Sequence, residues 1–117
     1  MSFIQIKRIY EKPLKADGYR ILVDRLWPRG LKKEQVLFNE WLKTLSPSNE
    51  LRKWFGHKPE NFPEFEKRYK KELEKVSHEL ERIRSIAKSK TITLLYTAKN
   101  TEMNQAVVLK KILDNVK

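Results

Sequence analysis

Arg20-Ile21-Leu22-Val23-Asp24-Arg25-Leu26-Trp27-Pro28-Arg29-Gly30 is the stretch on which the fold turns. It opens as an aliphatic run with nothing to stop a strand. It then breaks at Pro28 and Gly30 into a loop holding two arginines and a tryptophan. A short apolar run bounded by turn residues reads as a buried strand, here Arg20 to Asp24. Ile21, Leu22 and Val23 in succession fit a strand covered on both sheet faces. In α/β folds the loop after such a strand is where binding groups gather. Arg25, Trp27 and Arg29 are therefore the first candidate site residues.

Upstream, Phe3 to Tyr10 alternates around Ile4 and Ile6 and reads as a first strand. Residues 11–19 carry Pro13 and Asp17-Gly18 and form a loop. That loop is short for a parallel crossover, so spacing leaves the relative direction of the first two strands open. Downstream, Lys33 to Leu45 reads as a short helix with Val36, Leu37, Trp41 and Leu45 inward. Ser46 is placed as the N-cap of the next helix, with Pro47 at its first position. That helix runs through Leu51, Trp54 and Phe55 to Gly56, and Gly56-His57-Lys58-Pro59 is a turn.

From Phe62 the apolar positions fall at Phe65, Tyr69, Leu73, Val76, Leu80, Ile83 and Ala87, the strongest helical signal in the chain. A continuous helix over 62–88 would be about 40 Å long, longer than the roughly 35 Å expected of a compact domain this size. The spacing therefore predicts a break near Val76-Ser77-His78, with Ser77 as a cap. The interleaved Glu and Lys fit i,i+4 pairs on a solvated face. Thr91 to Tyr96 is the last strand. Asn100 or Thr101 then caps a terminal helix burying Met103, Ala106, Val107, Leu109, Ile112, Leu113 and Val116.

The chain has 117 residues, enough for a single α/β domain over 1–117. No cysteine is present, which excludes disulfides, thiolate metal sites and a cysteine nucleophile. The apolar runs are too short to span a bilayer. Met1-Ser2-Phe3-Ile4-Gln5-Ile6 enters an alternating pattern without a signal-peptide core. A cytoplasmic protein with no membrane partner is expected. Net charge is +11, and residues 1–33 hold nine Lys/Arg against three acids. Such an excess suits an anionic partner, nucleic acid included, and equally a well-solvated surface.

The helical stretch between the second and third strands makes that crossover parallel and right-handed. The loops after both strands then share one sheet end, bringing Arg25, Trp27 and Arg29 toward Tyr96, Lys99 and Asn100. The terminal helix would add its N-terminus there. Guanidiniums, an ammonium and a helix start suit a phosphate or carboxylate. His57 is the candidate acid–base group. With two histidines and no carboxylate cluster, neither a metal nor a cofactor is expected. Asp24 and Arg25 could equally form an ion pair at the strand end, and Trp27, Trp41 and Trp54 could be core.

Leu22-Val23-Asp24-Arg25-Leu26-Trp27-Pro28-Arg29-Gly30 closely resembles the signature of the YeaO-like family, domain of unknown function 488. The resemblance continues through Trp41-Leu42-Lys43, Leu51-Arg52-Lys53-Trp54-Phe55-Gly56-His57 and Leu94-Leu95-Tyr96-Thr97-Ala98-Lys99-Asn100, with Asn104-Gln105-Ala106. It spans essentially the whole chain and adds Asp24, Arg52, Trp54 and Asn104 as supporting residues. Met103 stands where relatives often carry a histidine before the asparagine, and Phe62 where they often carry tryptophan. Longer relatives place a helix between the first two strands, which implies that these are parallel here.

The expected architecture is a small, mainly parallel three-stranded sheet with helices on both faces. The expected function is an enzyme or binder with an anion pocket walled by Trp27 and Tyr96. The alternatives are a nucleic-acid-binding accessory protein and an interaction module whose arginines are internal braces. The sequence leaves the oligomeric state open.

Overall fold

The computed structural model describes residues 3–115, so Val116, expected to face the core, lies outside the described residues. The sheet has four strands rather than three: β1 (Ile4–Arg8), β2 (Tyr19–Leu22), β3 (Glu40–Trp41) and β4 (Ile92–Tyr96). Their order is β1-β4-β2-β3 and every pairing is parallel. β4 is central, and all five of its residues are buried. β2 and β4 are thus parallel neighbours, in the register Ile21↔Leu94.

The helices are α1 (Asn49–Phe55), α2 (Phe62–Leu73), α3 (Ser77–Ala87) and α4 (Gln105–Asp114). All four pack on one sheet face, where Ile4, Ile21, Val23, Ile92, Leu94 and Tyr96 meet them. Helices on both faces were expected, and this is the main correction. The opposite face is closed by extended segments and short 3-10 turns. There Ile9, Leu22 and Leu95 lie under Trp27, Val36, Phe38 and Trp41.

The expected helix over Lys33–Leu45 does not form. Val36 and Phe38 face inward while Leu37 is 62% exposed, an alternation of period two that leads into β3. β3 extends its pairing to β2 through Asn39 N donating to Arg20 O and Leu42 N donating to Leu22 O. α1 starts two residues later than expected. Ser48, not Ser46, is its N-cap and accepts from Leu51 N at 3.1 Å. Ser46 Oγ instead donates to Val23 O at 2.9 Å, tying this segment to the end of β2. The buried Tyr69 hydroxyl donates to Leu45 O and anchors the same segment to α2.

The predicted break in the long helical stretch is present. α2 ends at Leu73, a 3-10 turn covers Glu74–Val76, and α3 begins at Ser77. Ser77 is the first helical residue, and the N-cap position falls on Val76 without a side-chain cap. No helix among the described residues is long and apolar enough to cross a membrane.

β1 and β2 are parallel although only ten residues join them, because that connection crosses the open face over β4. Gly18 makes the crossing possible. Its φ is +67°, and any Cβ there would overlap the Thr91 carbonyl oxygen. Asp17 beside it is 2% exposed and is surrounded by donors. Lys7 Nζ reaches both its oxygens at 3.0 and 3.1 Å, Leu14 N reaches Oδ2 at 3.0 Å, and Arg20 closes the ion pair. Burial alone would raise this carboxyl, but these hydrogen bonds and the Lys7 charge hold it below its ordinary value.

A depressed carboxyl contributes stability that is present above its unfolded value and is lost as pH falls through the folded one. Asp17→Asn should therefore cost about 3–5 kcal/mol at neutral pH, as for breaking a buried pair. Urea unfolding should show this gap narrowing as pH falls below about 4, the unfolded carboxyl's range, toward the lower value of the folded one. A gap unchanged between pH 7 and pH 3 would refute this role for the carboxylate.

Candidate functional site

Because β2 and β4 run side by side in parallel, the loops that follow them leave the same sheet edge. Asp24 joins them. Its Oδ2 accepts from Thr97 N at 3.0 Å and Thr97 Oγ1 at 2.6 Å, and its Oδ1 accepts from Gln105 Nε2 on the first turn of α4. Trp41 Nε1 donates to the Asp24 backbone oxygen at 2.7 Å. The residue is 8% exposed and makes no ion pair among the described residues. Burial pushes its carboxyl up, against the lowering effect of the Thr97 hydrogen bonds, the His57 charge and Gln105.

Beside Asp24 lies a cavity of about 340 Å³. Its charged wall is Arg25, Arg29 and Arg52 with Asp24; His57 and Gln105 also face it. Tyr10, Trp27, Phe55 and Phe65 supply apolar wall.

The three arginines stand in different states. Arg25 Nε donates to Pro47 O at 2.8 Å, and its Nη2 reaches Lys43 O and Ser46 O at 3.4 Å. It braces the β2 loop to the segment before α1, and the ion pair with Asp24 weighed from the sequence does not form. Arg29 is exposed, and its backbone oxygen accepts from the Tyr10 hydroxyl at 3.1 Å. Arg52, carried by α1, is half-buried. Its Nη2 donates to Asn49 Oδ1 at 3.3 Å, while its Nε is buried without a hydrogen-bond partner among the described residues.

His57 lines the cavity from the turn after α1. Its φ of +58° follows Gly56 at +55°, and it is the one non-glycine residue with positive φ among those described. Such a conformation costs a side-chain-bearing residue free energy and concentrates at functional sites.

The other expected residues lie elsewhere. Tyr96 is 2% exposed and points into the helix-covered core, so it is not cavity wall. Trp27 lines the cavity with part of its ring but belongs to the open-face cluster. It packs edge-on to Trp41 and Phe38 at 5.3 and 5.7 Å, with Nε1 donating to Leu31 O. Trp54 is on the surface under the Arg68 guanidinium, 4.4 Å from its ring centre. Lys99 and Asn100 are exposed and outside the cavity wall.

Asn100 caps a turn instead of the helix, its Oδ1 accepting from Glu102 N and Met103 N. The helix cap is the buried Asn104, whose Oδ1 accepts from Val107 N at 3.1 Å. The expected helix start at Asn100–Thr101 is thus displaced to Gln105, and α4 contributes that side chain to the site. Thr97 and Gln105 were not singled out from the sequence. Thr97 could have been, as the first residue past β4. Gln105 has no spacing signal, because its partner is 81 residues away. No three His, Cys, Asp or Glu side chains among the described residues group as a metal site.

Residues 3–116 match the family described as the inactive DUF488-N3 subclade. The uncharacterized protein YeaO of Escherichia coli (strain K12) is 49% identical over 106 residues, 91% of this chain and 92% of that protein. Uncharacterized proteins Rv3073c of Mycobacterium tuberculosis and Mb3100c of Mycobacterium bovis are each 36% identical over 111 residues, covering 95% of this chain and 93% of their own. No solved structure matches the chain. With both matches running nearly end to end, this chain belongs to the YeaO-like DUF488 family, in its inactive N3 subclade.

Proposed function

We propose that this protein binds a small organic anion, bearing a phosphate or carboxylate, in the cavity at the carboxyl edge of the sheet, and binds it without transforming it. One observation carries the reading. Three arginines surround a cavity whose single carboxylate, Asp24, is already engaged by Thr97 and Gln105. Clustered cations without an acidic partner favour an anion between them. The volume is at the small end of ligand pockets. The description of the subclade as inactive favours binding over catalysis, which makes His57 a ligand contact instead of a proton-transfer group.

A basic face for nucleic acid has less support. Of the cations in residues 1–33, Lys7 and Arg20 are paired with Asp17, and Arg8 and Arg25 are spent on backbone carbonyls. Lys7 and Arg20 are thereby partly neutralised by Asp17, and Arg8 and Arg25 keep their charge but have fewer free donors to offer a continuous phosphate-binding surface.

Inorganic phosphate at ten times its dissociation constant should stabilise the fold by about 1.4 kcal/mol, or about 4–6 °C in melting temperature. Chloride at equal ionic strength should not. Arg29→Ala, an exposed substitution, should leave the unliganded melting temperature within about 2 °C and shrink the phosphate increment. Equal increments in wild type and variant would count against the cavity. A labelled single-stranded oligonucleotide binding more tightly than phosphate, with a steep salt dependence, would favour the nucleic-acid reading.

His57→Gly separates stability from binding. Relief of the left-handed conformation should stabilise the unliganded protein by about 0.5–1 kcal/mol, while the phosphate increment falls. A variant that melts lower than wild type without ligand would show that His57 holds the turn instead of straining it.

A further inference from the structure

The polar groups of the cavity wall are unevenly satisfied, and the pattern narrows the ligand. Arg52 Nε is buried in a residue that lines the cavity, yet has no acceptor among the described residues. Buried guanidinium N–H groups are rarely left unpaired, so Arg52 is the partly buried arginine of the wall whose donors the protein itself leaves unsatisfied. Arg25, by contrast, has Nε and Nη2 committed to backbone carbonyls.

Charge adds a second constraint. Arg25, Arg29 and Arg52 outnumber the one carboxylate, Asp24, and leave the wall with a formal excess of about two positive charges when His57 is counted as neutral. A phosphate monoester carries about −1.5 to −2 at neutral pH and matches that excess, whereas a carboxylate leaves it half neutralised. The third constraint is Asp24 itself. A carboxylate offers about four acceptor positions, and Thr97 N, Thr97 Oγ1 and Gln105 Nε2 fill three. One remains on a buried, cavity-lining carboxylate without a cation partner, which suits a hydroxyl donor on the ligand.

We infer that the cavity takes a hydroxylated phosphate monoester, with Arg52 holding the phosphate and Asp24 accepting a hydrogen bond from a ligand hydroxyl. This rests on the anion-binding reading above and specifies it. Tyr10, Trp27, Phe55 and Phe65 cover the carbon skeleton, and Arg52 becomes the anchoring residue where Arg25 is a brace.

Isothermal titration of the full chain with sn-glycerol 3-phosphate and n-propyl phosphate tests this, since the two share charge and chain length and differ in their hydroxyls. Glycerol 3-phosphate should bind about tenfold more tightly, the equivalent of one hydrogen bond to a charged group. Asp24→Asn should reduce that preference to about threefold or less, and Arg52→Gln should weaken both phosphates about tenfold or more while keeping their ratio. The wild-type comparison decides even where Asp24→Asn does not fold. Equal affinity of the two phosphates for wild type, or unchanged phosphate affinity in Arg52→Gln, would overturn the inference and leave anion binding intact. Glycerate binding as tightly as glycerol 3-phosphate would overturn the choice of phosphate. No binding of any of these anions would overturn both readings.

Discussion

The Asp24 carboxylate is the constraint on which the carboxyl edge of this protein depends. It holds together three parts of the chain: the loop after β2, the first residue past β4, and the first turn of α4. An uncompensated charge in the interior costs several kcal/mol, and hydrogen-bond donors are what make it tolerable. Here the donors are one backbone N–H, one hydroxyl and one amide. None is a cation, so burial outweighs them and its carboxyl sits high. His57 gives this charge a favourable field without closing on it.

The two buried aspartates oppose each other in pH. Asp17 lies among Lys7 and Arg20, its carboxyl is depressed, and its ionisation supports the fold from neutral pH down to its titration. Asp24 is raised, so its ionisation works against the fold as pH rises through the window above the ordinary carboxyl value. One carboxylate therefore reads as structural, with cations bonded directly to it. The other is held in a form that a ligand donor would relieve. The difference lies in the partners, since both are nearly fully buried.

How much of this was legible in the residues follows from the range of each interaction. β2, β4 and the interrupted α2–α3 stretch were readable because their signals are local: a bounded apolar run, or a 3.6-residue period too long for the domain. The segment 33–45 misled because Val36, Leu37 and Trp41 satisfy helical spacing while Val36 and Phe38 satisfy strand alternation. Packing on Leu22 and Leu95 selected the second. Tyr96 was misplaced by proximity along the chain. It shares strand parity with Ile92 and Leu94, which sends it to the core face. The α4 cap was placed early because Asn100 fits a turn as well as a helix start, and Asn104 caps the helix instead. Arg25's three carbonyl partners are 18–22 residues away on irregular backbone and leave no periodic trace.

Brace and binding group looked like competing descriptions of the same arginines. On the proposed reading the two tasks fall to different residues. Arg25 spends its donors fixing the β2 loop to the segment that leads into α1, and Ser46 and Tyr69 fix that segment from the other side. α1 then carries Arg52, and the turn after it carries His57, to the cavity wall from a second, independent element. A pocket assembled from loops alone would spread when its cations repel one another. With Arg25 bonded to carbonyl oxygens, part of that repulsion is offset by the backbone. The brace thus leaves the Arg29 guanidinium and Arg52 Nε without protein acceptors, and the proposed anion would meet a wall already arranged for it.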